Sequence, residues 1–246
     1  MESDILLVSA TKKEISELLD ISEIKSATTT HSNKSIISAE IDNTGYDVLI
    51  TGPSVFNASH ALTIALEKHR PKLIIQTGYA GIFQESNLKI GDIAVATEER
   101  YVHTGVESSL NPIIPMDLPF ELIDDTPSTK SGVYDLNHKY TDSAYGVLVA
   151  TNPVKECSIA KGLILTVSTI TATTKTAMDL SKAFSPVMEA MEGAASAHIA
   201  ALYDLPFLEI RSGSNYVGQR DKTKWDTSLA SKRIAIAIAL IIKKII

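Results

Sequence analysis

The chain has too little cysteine for a disulfide framework. Cys157 is the only one in 246 residues, which suits a reducing, cytoplasmic compartment. Long apolar runs are missing too. The stretch Ile5–Ala10 has no basic residues ahead of it and is too short for a secretory signal. The run IAIAIALII between Arg233 and Lys243 has nine residues, where a membrane-spanning helix needs about twenty. Positive charge is not in excess: 23 Lys and Arg stand against 29 Asp and Glu, a net charge of −6 without a basic block. No membrane and no nucleic-acid partner is therefore expected. Neither G-x-G-x-x-G after a strand nor G-x-x-x-x-G-K-[ST] occurs, which removes support for dinucleotide and P-loop sites. A G-x-S-x-G nucleophile elbow is absent as well. The six histidines (31, 60, 69, 103, 138, 198) are scattered without ligand spacing, so neither a metal nor a cofactor is expected. His198 reads as a packed or capping side chain.

What is present is an ordinary globular composition, 44% hydrophobic and 21% charged. Short β-branched apolar runs at 4–9, 35–41, 46–51, 72–78, 92–97, 146–150, 163–168 and 207–212 predict strands. Helical patterns fall at 12–20, 55–69, 153–161, 173–184, 191–203 and 226–244, with Cys157 in the short third one. Strands alternating with helices, several of them apolar on both faces, predict one three-layer α/β/α domain over residues 1–246 around a central sheet. Asn43-Thr44-Gly45 predicts a hairpin turn, so the sheet is expected to be mixed. The least regular stretch is 102–145, in which Met116, Leu118 and Phe120 are more apolar than a linker needs.

Polar residues gather where predicted strands end, the place where α/β sheets build sites. The first strand runs into Ala10-Thr-Lys-Lys-Glu14, a middle one into Thr77-Gly78-Tyr79-Ala80-Gly81, and the one at 207–212 into Arg211-Ser-Gly-Ser214-Asn215. Met191-Glu192-Gly193 opens a helix. Taken singly, each has a bland explanation: a dipole-favoured first-turn carboxylate, a turn glycine, a structural ion pair. Together they predict a small-molecule enzyme or binding protein.

The ordered set T-G-Y-A-G, then LKIGDIAVATEERY, then A-M-E-G-A, then PFLEIRSGSN resembles the nucleoside phosphorylase and nucleosidase superfamily over nearly the whole chain. The M-E-G segment and Ser214–Trp225 are similar to its futalosine-hydrolysing branch, which serves a route to menaquinone. The methylthioadenosine/S-adenosylhomocysteine nucleosidases are near relatives. This resemblance implies a homodimer or larger assembly and a purine nucleoside as the small-molecule partner. It implies that Glu14 activates water, with Arg211 and Ser214 helping to hold it. Glu192 would bind the ribose hydroxyls over a bed formed by Met191. Gly78, Tyr79 and Gly81 would line the sugar side, Ile170 and Thr171 the base side. Met116 and Phe120, on the segment from Leu110 to Phe120, would close over the 5′ substituent from a neighbouring subunit.

A carboxylate in the place where phosphorylases hold phosphate favours water as the nucleophile; Lys12 and Lys13 beside it are expected to point to solvent. Asn215 stands where adenine-specific relatives have Asp. An amide is no general acid, but it carries a donor and an acceptor that match O6 and N7–H of hypoxanthine. The N7 proton is then expected to arrive through water, with Asp221 a minor candidate. The leading function is release of hypoxanthine from futalosine. An adenine-releasing nucleosidase and a non-catalytic nucleoside binder are the alternatives.

Overall fold

The computed structural model describes residues 3–109, 114–136 and 138–245. Along the chain run β1 (Ile5–Ser9), α1 (Ser16–Asp20), β2 (Glu23–Thr29), β3 (Ser35–Ile41), β4 (Thr44–Ile50) and α2 (Val55–Leu66). Then follow β5 (Leu73–Ile82), β6 (Ile93–Tyr101), β7 (Val133–Asp135), α3 (Lys139–Thr151) and β8 (Ile159–Thr166). The last part holds α4 (Thr174–Phe184), β9 (Met188–Ala190), α5 (Gly193–Leu202), β10 (Phe207–Tyr216) and α6 (Thr227–Ile245).

The strands form one mixed sheet in the order β10-β6-β8-β9-β5-β1-β4-β3-β2, and β10 also pairs with β5. The sheet therefore curls back on itself: β5, β10, β6, β8 and β9 close a ring, while β1, β4, β3 and β2 extend from it as an open wing. Apolar side chains leave both faces. One core is built with α1, α3 and α6, around Leu7, Ile75, Ile210 and Ile238. The other is built with α2 and α5, around Val8, Ile74, Leu62 and Ala197. This is the predicted three-layer α/β/α domain.

Several local expectations are corrected. The run at 146–150 is not a strand but the second half of α3. Its buried positions Thr141, Ala144 and Leu148 fall three and four apart, on one helical face. The helix stops at Asn152, which is left-handed at φ 41. The predicted helix at 153–161 is instead a turn leading into β8, and Cys157 sits half-buried in it, 3.6 Å from the Gly91 carbonyl. The β3–β4 hairpin turns on Asp42 and Asn43 (φ 49 and 63), one residue earlier than expected, with Gly45 already paired to Glu40. The edge strand β2 and the short β7 and β9 were not anticipated; β2 is exposed along its whole length and so carries no alternation.

The K-I-G-D motif explains itself as architecture. Asp92 accepts from the Lys89 amide (2.8 Å) and from the Ser158 amide (2.9 Å), tying the start of β6 to the approach of β8. Gly91 is at φ +91, and a Cβ there would lie 2.7 Å from Arg233 Nη1 and 2.9 Å from Leu229 Cδ2 of α6. Gly91→Ala is expected to lower unfolding free energy by about 1–3 kcal/mol. Gly146→Ala, in an exposed turn of α3 with nothing within 4 Å, should instead stabilise by about 0.5–1 kcal/mol. Urea denaturation of the two variants checks both signs.

Candidate active site

The site is carried by strands rather than by loops beyond them. Thr77–Gly81 lies inside β5, and Arg211–Asn215 lies inside β10. The two strands are parallel neighbours, with Arg211 beside Gly78 and Asn215 beside Gly81. The register slips between Gly213 and Asn215, so Ser214 is the extra residue of a bulge. A bulge re-aims side chains that would otherwise alternate. Here consecutive Ser214 and Asn215 both line one cavity of about 230 Å³.

The turn after β1 delivers Glu14 into that cavity, and the N-terminus of α5 delivers Met191 and Glu192. Tyr79 and Gly81 form another wall, and Ile170 and Thr171 the far end. Gly78 and Arg211 stand behind the lining. Met116 (55% exposed) and Phe120 (58% exposed) do not reach the cavity of their own chain; residues 110–113 of that segment lie outside the described residues. Lys12 and Lys13 are exposed and are not among the cavity-lining residues.

Glu14 is held by a capping box. Its Oε2 accepts from the Thr11 amide at 2.8 Å and the Thr11 hydroxyl at 3.1 Å, and its Oε1 from the Tyr79 amide at 3.3 Å. Gly78, at φ +141, makes room for this: a Cβ would sit 3.0 Å from Glu14 Oε1 and 3.2 Å from Arg211 Nη1. Glu192 accepts from the Ser54 amide at 3.0 Å and from Arg211 Nη2 at 3.4 Å. Ser54 itself is at φ 84, ψ 159, a region almost reserved for glycine that costs about 1–3 kcal/mol. That strain aims its N–H at the carboxylate.

Arg211 is 0% exposed and makes its shortest contact, 2.7 Å, from Nε to Glu209 Oε1. Burial works against its charge, but Glu209, Glu192 and Glu14 outweigh burial and raise its pKa. Behind Glu209 lies Glu99, fully buried, whose Oε2 accepts from the Thr166 hydroxyl at 2.7 Å. Burial and the Glu209 carboxylate hold Glu99 well above the ordinary carboxylate range. Both effects favour its protonated form, and Glu99 Oε1 and Glu209 Oε2 have no other hydrogen-bond partner. Burial also raises the Glu14 pKa, with Arg211 offsetting part of it and Glu192 adding to it.

At the other end, Ser214 Oγ donates to Asn215 Oδ1 at 2.8 Å, and Asn215 Nδ2 donates to the Tyr216 carbonyl at 3.1 Å. These two bonds fix the amide's orientation and leave one N–H and one lone pair for a ligand. Ser214 is thus engaged with the amide, not with Glu14. Asp221 is exposed and outside the cavity lining, and its hydrogen bonds from Thr223 lower its pKa. His198 is outside the cavity, its Nδ1 2.9 Å from the Tyr134 hydroxyl.

Sequence reasoning missed Glu99, Glu189, Glu209, Ser54, Arg220 and Trp225. The signal for Glu209 was available: a carboxylate between Leu208 and Ile210 in a strand apolar on both faces must have a buried partner.

A curled α/β sheet with a nucleoside-sized hollow at the carboxyl ends of parallel strands, lined by three carboxylates and an amide, defines a class of small-molecule enzymes. Residues 4–246 match the model of the phosphorylase superfamily, and the chain belongs to it. It is 27% identical over 229 residues to the 5′-methylthioadenosine/S-adenosylhomocysteine nucleosidase of Anoxybacillus flavithermus, spanning 92% of this chain and 91% of that one. Its fold matches the Neisseria meningitidis nucleosidase of the same name, solved with methylthio-immucillin-A (TM-score 0.80, 20% identity, 97% and 98% of the two chains). It matches the futalosine hydrolase of Helicobacter pylori equally well (TM-score 0.81, 15% identity, 99% and 97%).

Glu209 and Arg211 form a fully buried ion pair, and removing one partner of such a pair leaves a buried charge alone, a loss of about 3–5 kcal/mol. Glu209→Ala, which strands the Arg211 guanidinium, should therefore cost that much in urea unfolding. Glu99→Gln, which mimics a protonated acid, should change stability by less than about 1.5 kcal/mol. A large loss in Glu99→Gln would mean that Glu99 is ionised.

Proposed function

We propose that the protein hydrolyses the N-ribosyl bond of a purine nucleoside, and that its substrate is the 6-oxopurine nucleoside futalosine, from which hypoxanthine leaves. The observation that carries this is the convergence of Glu14 and Glu192 on one buried guanidinium, in a cavity whose other end is the oriented amide of Asn215. Breaking an N-ribosyl bond passes through a ribosyl cation, which needs negative charge at the sugar, an activated water and a stabilised leaving base.

In this proposal Glu14 takes a proton from water as its oxygen attacks C1′ and the bond from C1′ to N9 breaks. Glu192 accepts from the ribose hydroxyls with the lone pairs left by Ser54 and Arg211. The N–H of Asn215 that remains free donates to O6, and its free lone pair accepts from N7–H once solvent has protonated N7. An amino group at C6 would meet that N–H donor against donor, at a cost of about 1–3 kcal/mol. A second reading, release of adenine from methylthioadenosine or a 6-amino relative of futalosine, is favoured by the curated relatives at 27–28% identity.

The experiment incubates the protein with futalosine, aminodeoxyfutalosine, methylthioadenosine and inosine, with and without phosphate, and identifies the free base by chromatography. Hypoxanthine from futalosine, at a rate indifferent to phosphate, is the expected result; a phosphorylated sugar product or adenine as the preferred base would overturn it. Glu14→Gln should lower kcat/KM by roughly 10²–10⁴-fold. In the wild type, only ionised Glu14 is a base, so activity falls as pH drops through its raised pKa. The acid limb should thus lie above the ordinary 4.5 and vanish in Glu14→Gln.

The assembly enters through the 5′ end. Met116 and Phe120 are exposed in their own chain, and we assign them to the cavity of a neighbouring subunit, against the aromatic 5′ tail of futalosine. Full burial of each side chain contributes about 1.5–3 kcal/mol. Met116→Ala/Phe120→Ala should therefore reduce kcat/KM on futalosine and spare inosine, which carries only a 5′ hydroxyl. An equal loss on both would remove the segment from substrate recognition.

A further inference from the structure

Glu189 is a buried carboxylate, 7% exposed, that lines the same cavity and has no part in the scheme above. Its place follows from strand register. In β9 it pairs with Gly81 of β5, and the other neighbour of Gly81 is Asn215 of β10. Register partners present their side chains on one face of a sheet. At two strand spacings, the Cα atoms of Glu189 and Asn215 are roughly 10 Å apart, with side-chain-free Gly81 as the floor between them. A Cβ on Gly81 would meet Val217 Cγ2 at 3.0 Å and Asn215 Nδ2 at 3.4 Å, so the floor is flat because it is glycine.

Glu189 also settles what this wall offers a ligand. Its Oε1 accepts from the Thr171 amide at 3.2 Å and its Oε2 from the Thr171 hydroxyl at 2.5 Å. The N–H of Thr171, a base-side residue, is consumed by this contact. Each carboxylate oxygen keeps a further lone pair, and a carboxylate only accepts. Burial raises the Glu189 pKa, while the two Thr171 bonds and the positive charge of Arg220 pull it back toward ionisation.

We infer that Glu189 accepts a hydrogen bond from N1–H of a 6-oxopurine, so that the base is read by a pair, Glu189 and Asn215, facing each other across Gly81. The inference rests on the nucleosidase proposal and deepens it. Hypoxanthine presents a donor at N1 and an acceptor at O6, matching the carboxylate and the free amide N–H. Adenine presents a lone pair at N1, which faces the carboxylate acceptor against acceptor.

The test measures dissociation constants of hypoxanthine, adenine and 1-methylhypoxanthine by calorimetry on the wild type and on Glu189→Gln, which keeps shape and supplies a donor. In the wild type hypoxanthine should bind best, and methylation of N1 should weaken it by roughly 5- to 150-fold, the range of one mispaired buried hydrogen bond. In Glu189→Gln hypoxanthine should weaken by a similar factor while adenine holds or tightens. A structural role for Glu189 would weaken both bases alike, and that outcome overturns the inference. So does a wild type that tolerates the N1 methyl, a comparison that needs no variant to fold. If the wild type binds bases and cleaves nucleosides but shows either of these results, only Glu189 is misassigned. If it cleaves none of the four nucleosides, the proposed function fails and the inference with it.

Discussion

Arg211 is a cation removed from water in a ring of carboxyl groups, and the site is arranged around the cost of keeping it there. An isolated guanidinium at that depth is prohibitively unfavourable, so it must be surrounded by acceptors. Glu209 takes Nε, Glu192 takes Nη2, the Tyr79 carbonyl takes Nη1, and Glu14 lies within its field. The carboxyl groups of Glu14, Glu192, Glu209 and Glu99 outnumber the one guanidinium. On the proposed function that excess of acceptors disfavours a phosphate ion and favours positive charge developing on a sugar, and both effects act in the same direction. The raised pKa of Glu14 comes first from its burial, with Arg211 offsetting part of it and Glu192 adding to it, and a carboxylate held above its ordinary range is a better base.

Two glycines make that crowding sterically possible. Gly78 lets Glu14 and Arg211 meet over the backbone of β5. Gly193, directly after Glu192, does the equivalent one layer deeper: a Cβ there would lie 2.1 Å from Glu99 Oε1 and 2.4 Å from Glu209 Oε2. The glycine of the M-E-G segment therefore exists less to start α5 than to let two buried carboxyls meet behind it. Local chain chemistry, burial and the electrostatics of the cavity are linked at that one residue.

Much of this was legible in the residues, and what was not has physical reasons. The β-branched runs of β1, β4, β5 and β10 are long enough to identify as strands, and the polar residues at their ends mark the cavity. Gly146–Ala150 misleads because a short apolar run fits a buried strand and a helix face equally well; only the burial of Thr141, Ala144 and Leu148 on one side decides for α3. The T-G-Y-A-G segment reads as a turn because of its glycines, yet it is strand, with glycines where side chains from β10 and the first turn need space. Glu99 and Glu189 were invisible for a different reason. Their partners Thr166 and Thr171 come from distant segments, and no local pattern announces them. The K-I-G-D motif marks the family by its architecture, since Asp92 and Gly91 fasten β6, β8 and α6 and touch nothing in the cavity.

The same electrostatics bears on why position 215 carries an amide. The cavity already contains Glu14 and Glu192 at one end and Glu189 at the other, with Arg220 the cation nearest the base end. An aspartate at 215 would add one more carboxylate, facing Glu189 across Gly81. Its ionised form would be disfavoured there by burial and by like charge. In a site where Glu189 stays ionised to accept from the base, a neutral residue at 215 relieves that conflict and still supplies both a donor and an acceptor. An ionised aspartate, by contrast, could only accept and would meet O6 lone pair against lone pair. On the proposed function, Asn215 and Glu189 are thus one choice rather than two: the carboxylate on β9 makes an amide the compatible partner on β10.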